Sequence, residues 1–181
     1  MPILFDLKNY ISSCYIETGI LYGESISKAI QSGFDKIYAI DINEKFVTEN
    51  LKRFENEVNT GKVTIMQGLS TDILPKVLDT INEKSTIFLD AHDLEYEGIE
   101  THLYDKENEC PIIKELNIIS NHQVKEHTII IDDIMMIVSD FGWSKGYNIN
   151  LDTIKNLILS INKNYKFEII QDHNGCLICY I

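Results

Sequence analysis

The chain has 181 residues, of which 44% are hydrophobic, and this size predicts one compact domain over residues 1–181 with one sizeable core. Its 28 acidic and 16 basic residues give a formal net charge of −12, which would repel a phosphate backbone, so nucleic acid is not an expected partner. No apolar run approaches about 18 residues and the N-terminus lacks a signal-peptide pattern, so we expect a cytoplasmic protein without a membrane partner.

Short apolar runs alternate with segments of helical spacing, which is typical of a mostly parallel sheet covered by helices. A first helix is predicted over residues 3–12. Seven strands are predicted in chain order, at residues 14–16, 36–40, 63–66, 86–89, 128–131, 167–170 and 176–180. The dipeptide Asn174-Gly175 predicts a tight hairpin between the last two strands, and therefore an antiparallel pair.

Between the strands, apolar residues recur at helical intervals. The helix after the second strand is predicted to face the sheet with one apolar stripe, which consists of Val47, Leu51, Phe54 and Val58. Near the C-terminus, Cys176 and Cys179 form a CxxC pattern, but within a strand this spacing directs the two side chains to opposite faces. Buried thiols are therefore expected there rather than a zinc or redox site.

Polar residues follow five of the predicted strands at the points where those strands end. These residues are Glu17-Thr18-Gly19, Asp41, Gly68-Leu69-Ser70, Asp90-Ala91-His92 and Asp132-Asp133. Ligands of open α/β sheets bind outside the carboxyl ends of the strands, so this order predicts a binding site. Any one of these residues is equally well explained as a helix cap or a solvated turn, but five in order favour a site.

The segment Glu17 to Gly23 has the form ExGxxxG between a strand and a helix, where glycines let the backbone turn sharply and approach a ligand. Asp41 lies 22 positions after Gly19, where an acidic side chain can accept hydrogen bonds from ribose hydroxyls. The GxGxxG pattern of nicotinamide-dependent dehydrogenases is absent, which counts against that class of enzyme.

The segments ETGILYG, YAIDIN, QGLSTDILP, IFLDAH and IIIDDI resemble the ordered motifs of the class I S-adenosylmethionine-dependent methyltransferases. GLSTDILP and FLDAH are similar to segments of the metal-dependent catechol-type O-methyltransferases. The layout of Asp90 with Asp132 and Asp133 also resembles that of the macrocin-type sugar O-methyltransferases. This resemblance implies a Rossmann-like α/β fold with helices on both faces of a seven-stranded, mostly parallel sheet, in the order 3-2-1-4-5-7-6 with strand 7 antiparallel.

The resemblance also implies two ligand sites. S-adenosylmethionine would be bound by Glu17, Thr18, Gly19, Gly23, Asp41, Ile42, Gly68, Leu69, Ser70 and Asp90. A divalent cation would be held by Asp90, Asp132 and Asp133, and magnesium suits an all-oxygen set. The sequence departs from the family at Leu21, where a glycine is usual.

His92 and Asp93 are the candidate bases, since the base of the family usually stands where Asp93 lies. His92 follows a strand end between two aspartates, and a neighbouring carboxylate would tune its pKa towards working pH. The remaining histidines lie in polar loop or helix-end contexts and are assigned no role; they are His102, His122, His127 and His173.

These features favour metal-assisted O-methylation of a small hydroxylated acceptor, with a sugar suggested by the family resemblance alone. Three alternatives stay open: a metal-independent methyltransferase with Asp132 and Asp133 as helix caps, a cofactor-binding module without turnover, and a nicotinamide dehydrogenase. A homodimer formed through exposed helices is compatible with the sequence.

Overall fold

A computed structural model describes residues 5–92, 110–139, 147–171 and 174–181 of the chain. Seven strands form one sheet: β1 Tyr15–Thr18, β2 Ile37–Asp41, β3 Val63–Gln67, β4 Thr86–Leu89, β5 Thr128–Ile131, β6 Lys166–Ile170 and β7 Cys176–Tyr180. The helices are α1 Glu24–Ser32, α2 Glu44–Arg53, α3 Glu55–Asn59, α4 Ser70–Leu78, α5 Ile112–Asn121, α6 Ile134–Ile137 and α7 Leu151–Ile161.

The strand order is β3-β2-β1-β4-β5-β7-β6, which confirms the predicted fold. The first five strands pair in parallel, whereas β7 is antiparallel to both β5 and β6. All five parallel strands therefore end at the same side of the sheet, called here the carboxyl edge. The Asn174-Gly175 turn agrees with the antiparallel β6–β7 pair.

The core lies on both faces of the sheet, as expected where helices cover a parallel sheet. One layer packs α4, α5 and α7 against it through residues such as Leu74, Leu116 and Ile158. The opposite layer contains Ile26 and Ala29 of α1 together with aromatic residues. Among the described residues, no helix is long and apolar enough to cross a membrane.

Cys176 and Cys179 are free, buried thiols in opposite core layers, as the strand spacing predicts. Two local predictions are wrong. Within residues 5–12, the first predicted helix is only a 3-10 turn, Leu7–Tyr10, because Asp6 accepts a hydrogen bond from the Lys8 N–H and starts a tight turn. The predicted stripe after β2 is divided between α2 and α3, which leaves Leu51 38% exposed.

Candidate active site at the carboxyl edge

Backbone hydrogen bonds bring the ends of the parallel strands into register. The Gly19 N–H donates to the Ile40 carbonyl at 2.8 Å, and the Asp90 N–H donates to the Thr18 carbonyl at 2.9 Å. The Asp132 N–H donates in turn to the Leu89 carbonyl at 3.1 Å. The predicted strand-end residues are therefore neighbours along one edge, as the binding-site prediction requires.

The loop after β1 lies directly on the backbone that follows β4. Gly19 has a φ of 83°, and a Cβ atom at this position would lie 2.1 Å from the Asp90 carbonyl oxygen. Only glycine tolerates both this backbone conformation and this contact. Gly23, with a φ of 75°, ends the loop as the N-cap of α1. The two glycines that the motif predicted are thus both required by the geometry.

Glu17 is a fully buried carboxyl group, and neither of its oxygens has a hydrogen-bond partner in the described part of the chain. Burial raises its pKa to about 8, and the nearby Ser25 and Tyr15 hydroxyls only partly oppose this shift. An unpartnered buried acceptor is energetically unfavourable until a donor reaches it. A positively charged amino group of a ligand would supply such a donor and would favour the charged form of Glu17.

Asp41 lies at the end of β2 and faces the loop after β1. Its Oδ2 accepts hydrogen bonds from the N–H groups of Ile20 and Leu21, at 2.8 and 3.1 Å, and Oδ1 accepts one from Asn43 at 2.8 Å. Burial raises its pKa, and these backbone donors limit the rise. Three of the roughly four acceptor positions of the carboxylate are thus occupied, which leaves room on Oδ1 for one ribose hydroxyl.

The remaining predicted cofactor residues flank Asp41 along the same edge. Gly68 follows β3, and its N–H donates to the Asp41 carbonyl at 2.9 Å. Leu69 is the N-cap of α4 and Ser70 is its first residue, so the two lie at the helix N-terminus. Ile42, next to Asp41, and Leu69, next to Gly68, are both partly exposed, which leaves apolar surface at this edge for a flat ring.

The structure brings His92 between two aspartates. Its Nε2 lies 3.0 Å from Asp133 Oδ2, and its Nδ1 lies 3.6 Å from Asp90 Oδ1. One ligand atom from each of these residues lies within 4.8 Å of the others, so the three side chains could surround a metal ion. We call this set the Asp90–His92–Asp133 cluster.

The cluster shares Asp90 and Asp133 with the predicted metal set and adds His92, whereas Asp132 is not part of it. Asp132 Oδ1 accepts a hydrogen bond from the Asp133 N–H at 3.0 Å. Asp133 has a φ of 51°, a left-handed conformation rare for a residue with a side chain, and this conformation follows the change of direction between β5 and α6. Such strain is found most often at functional sites.

The three groups of the cluster shift one another's pKa values. Burial raises the pKa of Asp90 to about 8, although His92 opposes the rise. Burial by itself would lower the pKa of His92, but the Asp133 hydrogen bond and the Asp90 charge outweigh it and raise this pKa. Asp133 has a lowered pKa, because its contact with His92 outweighs its burial. The group thus attracts positive charge, either a proton on His92 or a cation.

One buried acidic residue near the site was not predicted from the sequence. Glu115 of α5 is 1% exposed, and its Oε1 has no hydrogen-bond partner among the described residues. Burial raises its pKa, and the hydroxyls of Ser70 and Thr18, two predicted cofactor residues, oppose the rise. Its signal in the sequence is an acidic residue on the apolar face that Ile112, Leu116 and Ile119 define. The candidate base Asp93 lies outside the described residues.

No protein-family model matches the sequence, and no curated protein matches it. Solved structures do match over nearly the whole chain. TomG, an O-methyltransferase from Streptomyces achromogenes solved with S-adenosylmethionine, is 14% identical over 97% of this chain and 75% of its own, with a TM-score of 0.66. An O-methyltransferase from Bacillus cereus, solved with S-adenosylhomocysteine, is 14% identical over 97% and 76%, with a TM-score of 0.65.

The chain has the fold of the class I S-adenosylmethionine-dependent methyltransferases. A putative rRNA-methylase from Clostridium thermocellum shares this methyltransferase fold, with 12% identity over 96% of this chain and 91% of its own and a TM-score of 0.59. Proteins with different acceptors therefore share the architecture. The acceptor has to be inferred from the site itself.

Proposed function

We propose that this chain transfers a methyl group from S-adenosylmethionine to a hydroxyl group of a small-molecule acceptor, with a divalent cation held by the Asp90–His92–Asp133 cluster. The observation that carries the proposal is the position of this cluster, beside the glycine loop at the carboxyl edge of a methyltransferase-fold sheet. Methyl transfer needs in-line positioning of two reactants and little covalent chemistry from the protein. A cofactor site at the glycine loop and a cation site at the adjoining cluster would position the two reactants.

The cofactor half of the site is assigned from the unused hydrogen-bonding capacity of its residues. Glu17 would accept a hydrogen bond from the amino group of the methionine part, and Asp41 Oδ1 would accept one from a ribose hydroxyl. The apolar surfaces of Ile42 and Leu69 would flank the adenine ring, with Ser70 at its edge. The neighbours solved with S-adenosylmethionine or S-adenosylhomocysteine support this choice of cofactor over a nicotinamide.

The donor set fits a divalent cation. Carboxylates suit magnesium and manganese, whereas an imidazole nitrogen favours transition metals over magnesium. With His92 among the ligands, manganese is a better match than the magnesium expected from an all-oxygen set. When bound, the cation would lower the pKa of an acceptor hydroxyl and orient it. The side chains of Asp90, His92 and Asp133 would fix the position of that hydroxyl relative to the glycine loop.

The two ligand sets can be separated by calorimetry. Wild-type protein is expected to bind S-adenosylhomocysteine and to bind Mn²⁺ more tightly than Mg²⁺. Asp133→Asn and His92→Leu should both weaken Mn²⁺ binding by at least about tenfold, since each removes one ligand. Asp132→Asn, next in sequence to Asp133, is the matched control and should bind Mn²⁺ as the wild type does. If Asp132→Asn lost Mn²⁺ binding and His92→Leu kept it, the result would support the ligand set predicted from the sequence, Asp90, Asp132 and Asp133.

A second mechanism is favoured by the 3.0 Å contact between His92 and Asp133. In it Asp133 orients the imidazole, and His92 takes the proton from the acceptor hydroxyl without a metal. Because the pKa of His92 is raised, this reaction would accelerate as pH rises and His92 loses its proton. A panel of hydroxylated acceptors that includes a catechol and a sugar should be assayed with EDTA and with Mn²⁺. Full turnover in excess EDTA would select this mechanism over the metal-assisted one.

Binding of NAD in place of S-adenosylhomocysteine would contradict the proposal as a whole. Thermal shifts with each compound provide this test, because a ligand stabilises the state that binds it. Cofactor binding with no methyl transfer to any acceptor would instead favour a binding module without turnover.

A further inference from the structure

We infer that Asn50 is a positioning residue that holds the cofactor loop in its ligand-ready shape, in compensation for a leucine at position 21. Leu21 lies in the middle of the loop between Gly19 and Gly23 and has a φ of 48°. A side chain disfavours this left-handed conformation, which glycine adopts freely. Something outside the loop must therefore hold Leu21 in place.

Two side chains bind the peptide groups on either side of Leu21. The Leu21 N–H donates to Asp41 Oδ2 at 3.1 Å, and the Leu21 carbonyl accepts from Asn50 Nδ2 at 2.8 Å. Asp41 comes from the end of β2 and Asn50 from α2, so the loop is held from two separate elements. We call this arrangement the Asp41–Asn50 clamp.

Asn50 is unusually specialised for this contact. It is 1% exposed, and the second hydrogen of its amide donates to the Phe46 carbonyl at 2.8 Å within α2, which fixes the direction of the side chain. Its Oδ1 is buried without a hydrogen-bond partner in the described part of the chain. A buried amide with one unused acceptor is unfavourable compared with an apolar side chain. The interaction with the loop gives a reason for an asparagine on a buried helix face.

The amide also shapes the end of the loop. A Cβ atom at Gly23 would lie 2.0 Å from Asn50 Oδ1, so Asn50 fills the space that any larger residue at position 23 would need. The Gly23 N–H donates to the Ile20 carbonyl at 2.9 Å and closes the turn over Leu21. Asn50 thus contacts the loop at both its middle and its end.

The inference rests on the proposed function only for the identity of the ligand. Its first test uses the free protein and measures hydrogen exchange of the Ile20 and Leu21 amides. Asn50→Asp keeps the size of the side chain but loses both donor hydrogens. Of the two hydrogen bonds lost, only the one to the Leu21 carbonyl holds the loop, so exchange of the Ile20 and Leu21 amides is expected to accelerate about tenfold. The matched control is Asn56→Asp on the exposed surface of α3, where the same change should have no effect on the loop.

The second test is a double-mutant cycle on S-adenosylhomocysteine affinity. In the wild-type background Asn50→Asp should weaken binding about tenfold, whereas in a Leu21→Gly background it should weaken binding by less than about threefold. The reason is that glycine needs no clamp in the left-handed conformation. A merely structural role for Asn50 would give the same loss in both backgrounds.

Equal losses in the two backgrounds, or unchanged exchange of Ile20 and Leu21 in Asn50→Asp, would overturn the inference. If Asn50→Asp fails to fold, Asn50→Gln tests it instead, because the amide is kept but displaced by one methylene and the loop amides should again exchange faster. If the wild type binds no S-adenosylhomocysteine, the proposed function fails, and the exchange experiment still decides whether the clamp exists.

Discussion

At the scale of single residues, the glycine loop after β1 depends on positions where a backbone atom, and not a side chain, contacts the neighbouring chain. Gly19 is the strongest case, since its missing Cβ allows the chain after β1 to touch the Asp90 carbonyl. The ExGxxxG spacing predicted a glycine-dependent turn here. The strand order implied by the family resemblance places β4 beside β1, but the close contact of this turn with the backbone after β4 could not be predicted, because a motif does not show how near two backbones come.

The steric requirement at Gly19 can be separated from its backbone requirement by comparison with Gly61. Both have a positive φ, 83° and 74°, but a Cβ atom at Gly61 would meet no atom within 4 Å. Gly61→Ala should therefore cost about 1 kcal/mol of unfolding free energy, from backbone strain alone. Gly19→Ala should cost about 3 kcal/mol and abolish S-adenosylhomocysteine binding, because the contact with Asp90 is added to the strain. Urea unfolding of both variants checks this, and similar losses would refute the steric argument.

At the scale of secondary structure, the sequence predicted those elements whose apolar run is continuous and whose ends are polar. β4, β5 and β7 begin and end at the predicted residues, and the aspartates after β4 and β5 mark the site. The apolar stripe after β2 was misread because the chain changes direction at Phe54, with φ −109° and ψ 29°. The helical repeat therefore does not continue from α2 into α3. Within α2, Phe46 and Asn50 are buried, whereas Leu51 is exposed.

Two histidines without a predicted role join the loop before β5 to the loop before β4. His122 and His127 are 8% and 0% exposed, contrary to the polar contexts that the sequence suggested. The Ser85 N–H donates to His127 Nδ1 at 3.1 Å, and His127 Nε2 lies 2.8 Å from His122 Nδ1. His122 Nε2 lies 3.0 Å from the Ile81 carbonyl. Since the Ser85 N–H can only donate and the Ile81 oxygen can only accept, all these contacts are satisfied when both rings are neutral.

This chain of hydrogen bonds predicts an acid-sensitive fold. Burial, with the charges of His122 and two lysines, lowers the pKa of His127 from 6.5 to about 4. The unfolded chain therefore binds the proton more readily than the folded one. The contribution of His127 to the free energy of unfolding is complete above pH 6.5 and is lost as the pH falls from 6.5 towards 4. It amounts to about 3 kcal/mol.

Urea unfolding of the wild type and of His127→Asn at several pH values between 7 and 4 measures this contribution. The asparagine oxygen can accept the Ser85 N–H bond but does not titrate, so the variant should lose less stability on acidification than the wild type. Parallel pH dependences would show that His127 is not responsible.

At the scale of the whole molecule, the candidate binding site and the buried histidine pair lie at opposite ends of the sheet. Glu17, Asp90 and Asp133 lie at the carboxyl edge, whereas Ser85 and His127 come immediately before β4 and β5 at the other. Polar residues are buried at both ends; at the carboxyl edge Glu17 keeps unpartnered acceptors and Asp90, His92 and Asp133 have a geometry that could hold a metal ion. A second property at this scale is the net charge of −12, which no single helix or strand determines. This charge bears on which partners the protein can bind.

The charge predicts that this protein does not bind RNA, although a putative rRNA-methylase shares its fold. Affinity for nucleic acid comes mainly from lysine and arginine residues that release counterions from phosphates, and here 28 acidic residues outnumber 16 basic ones. Fluorescence anisotropy with a labelled RNA hairpin at about 50 mM salt gives such contacts their best chance, because they weaken as salt rises. We expect no saturable binding of the RNA. Binding of S-adenosylhomocysteine by the same samples is the control that they are folded. Binding that weakens steadily with salt would reveal a basic surface and would redirect the search for an acceptor from small hydroxylated molecules to RNA.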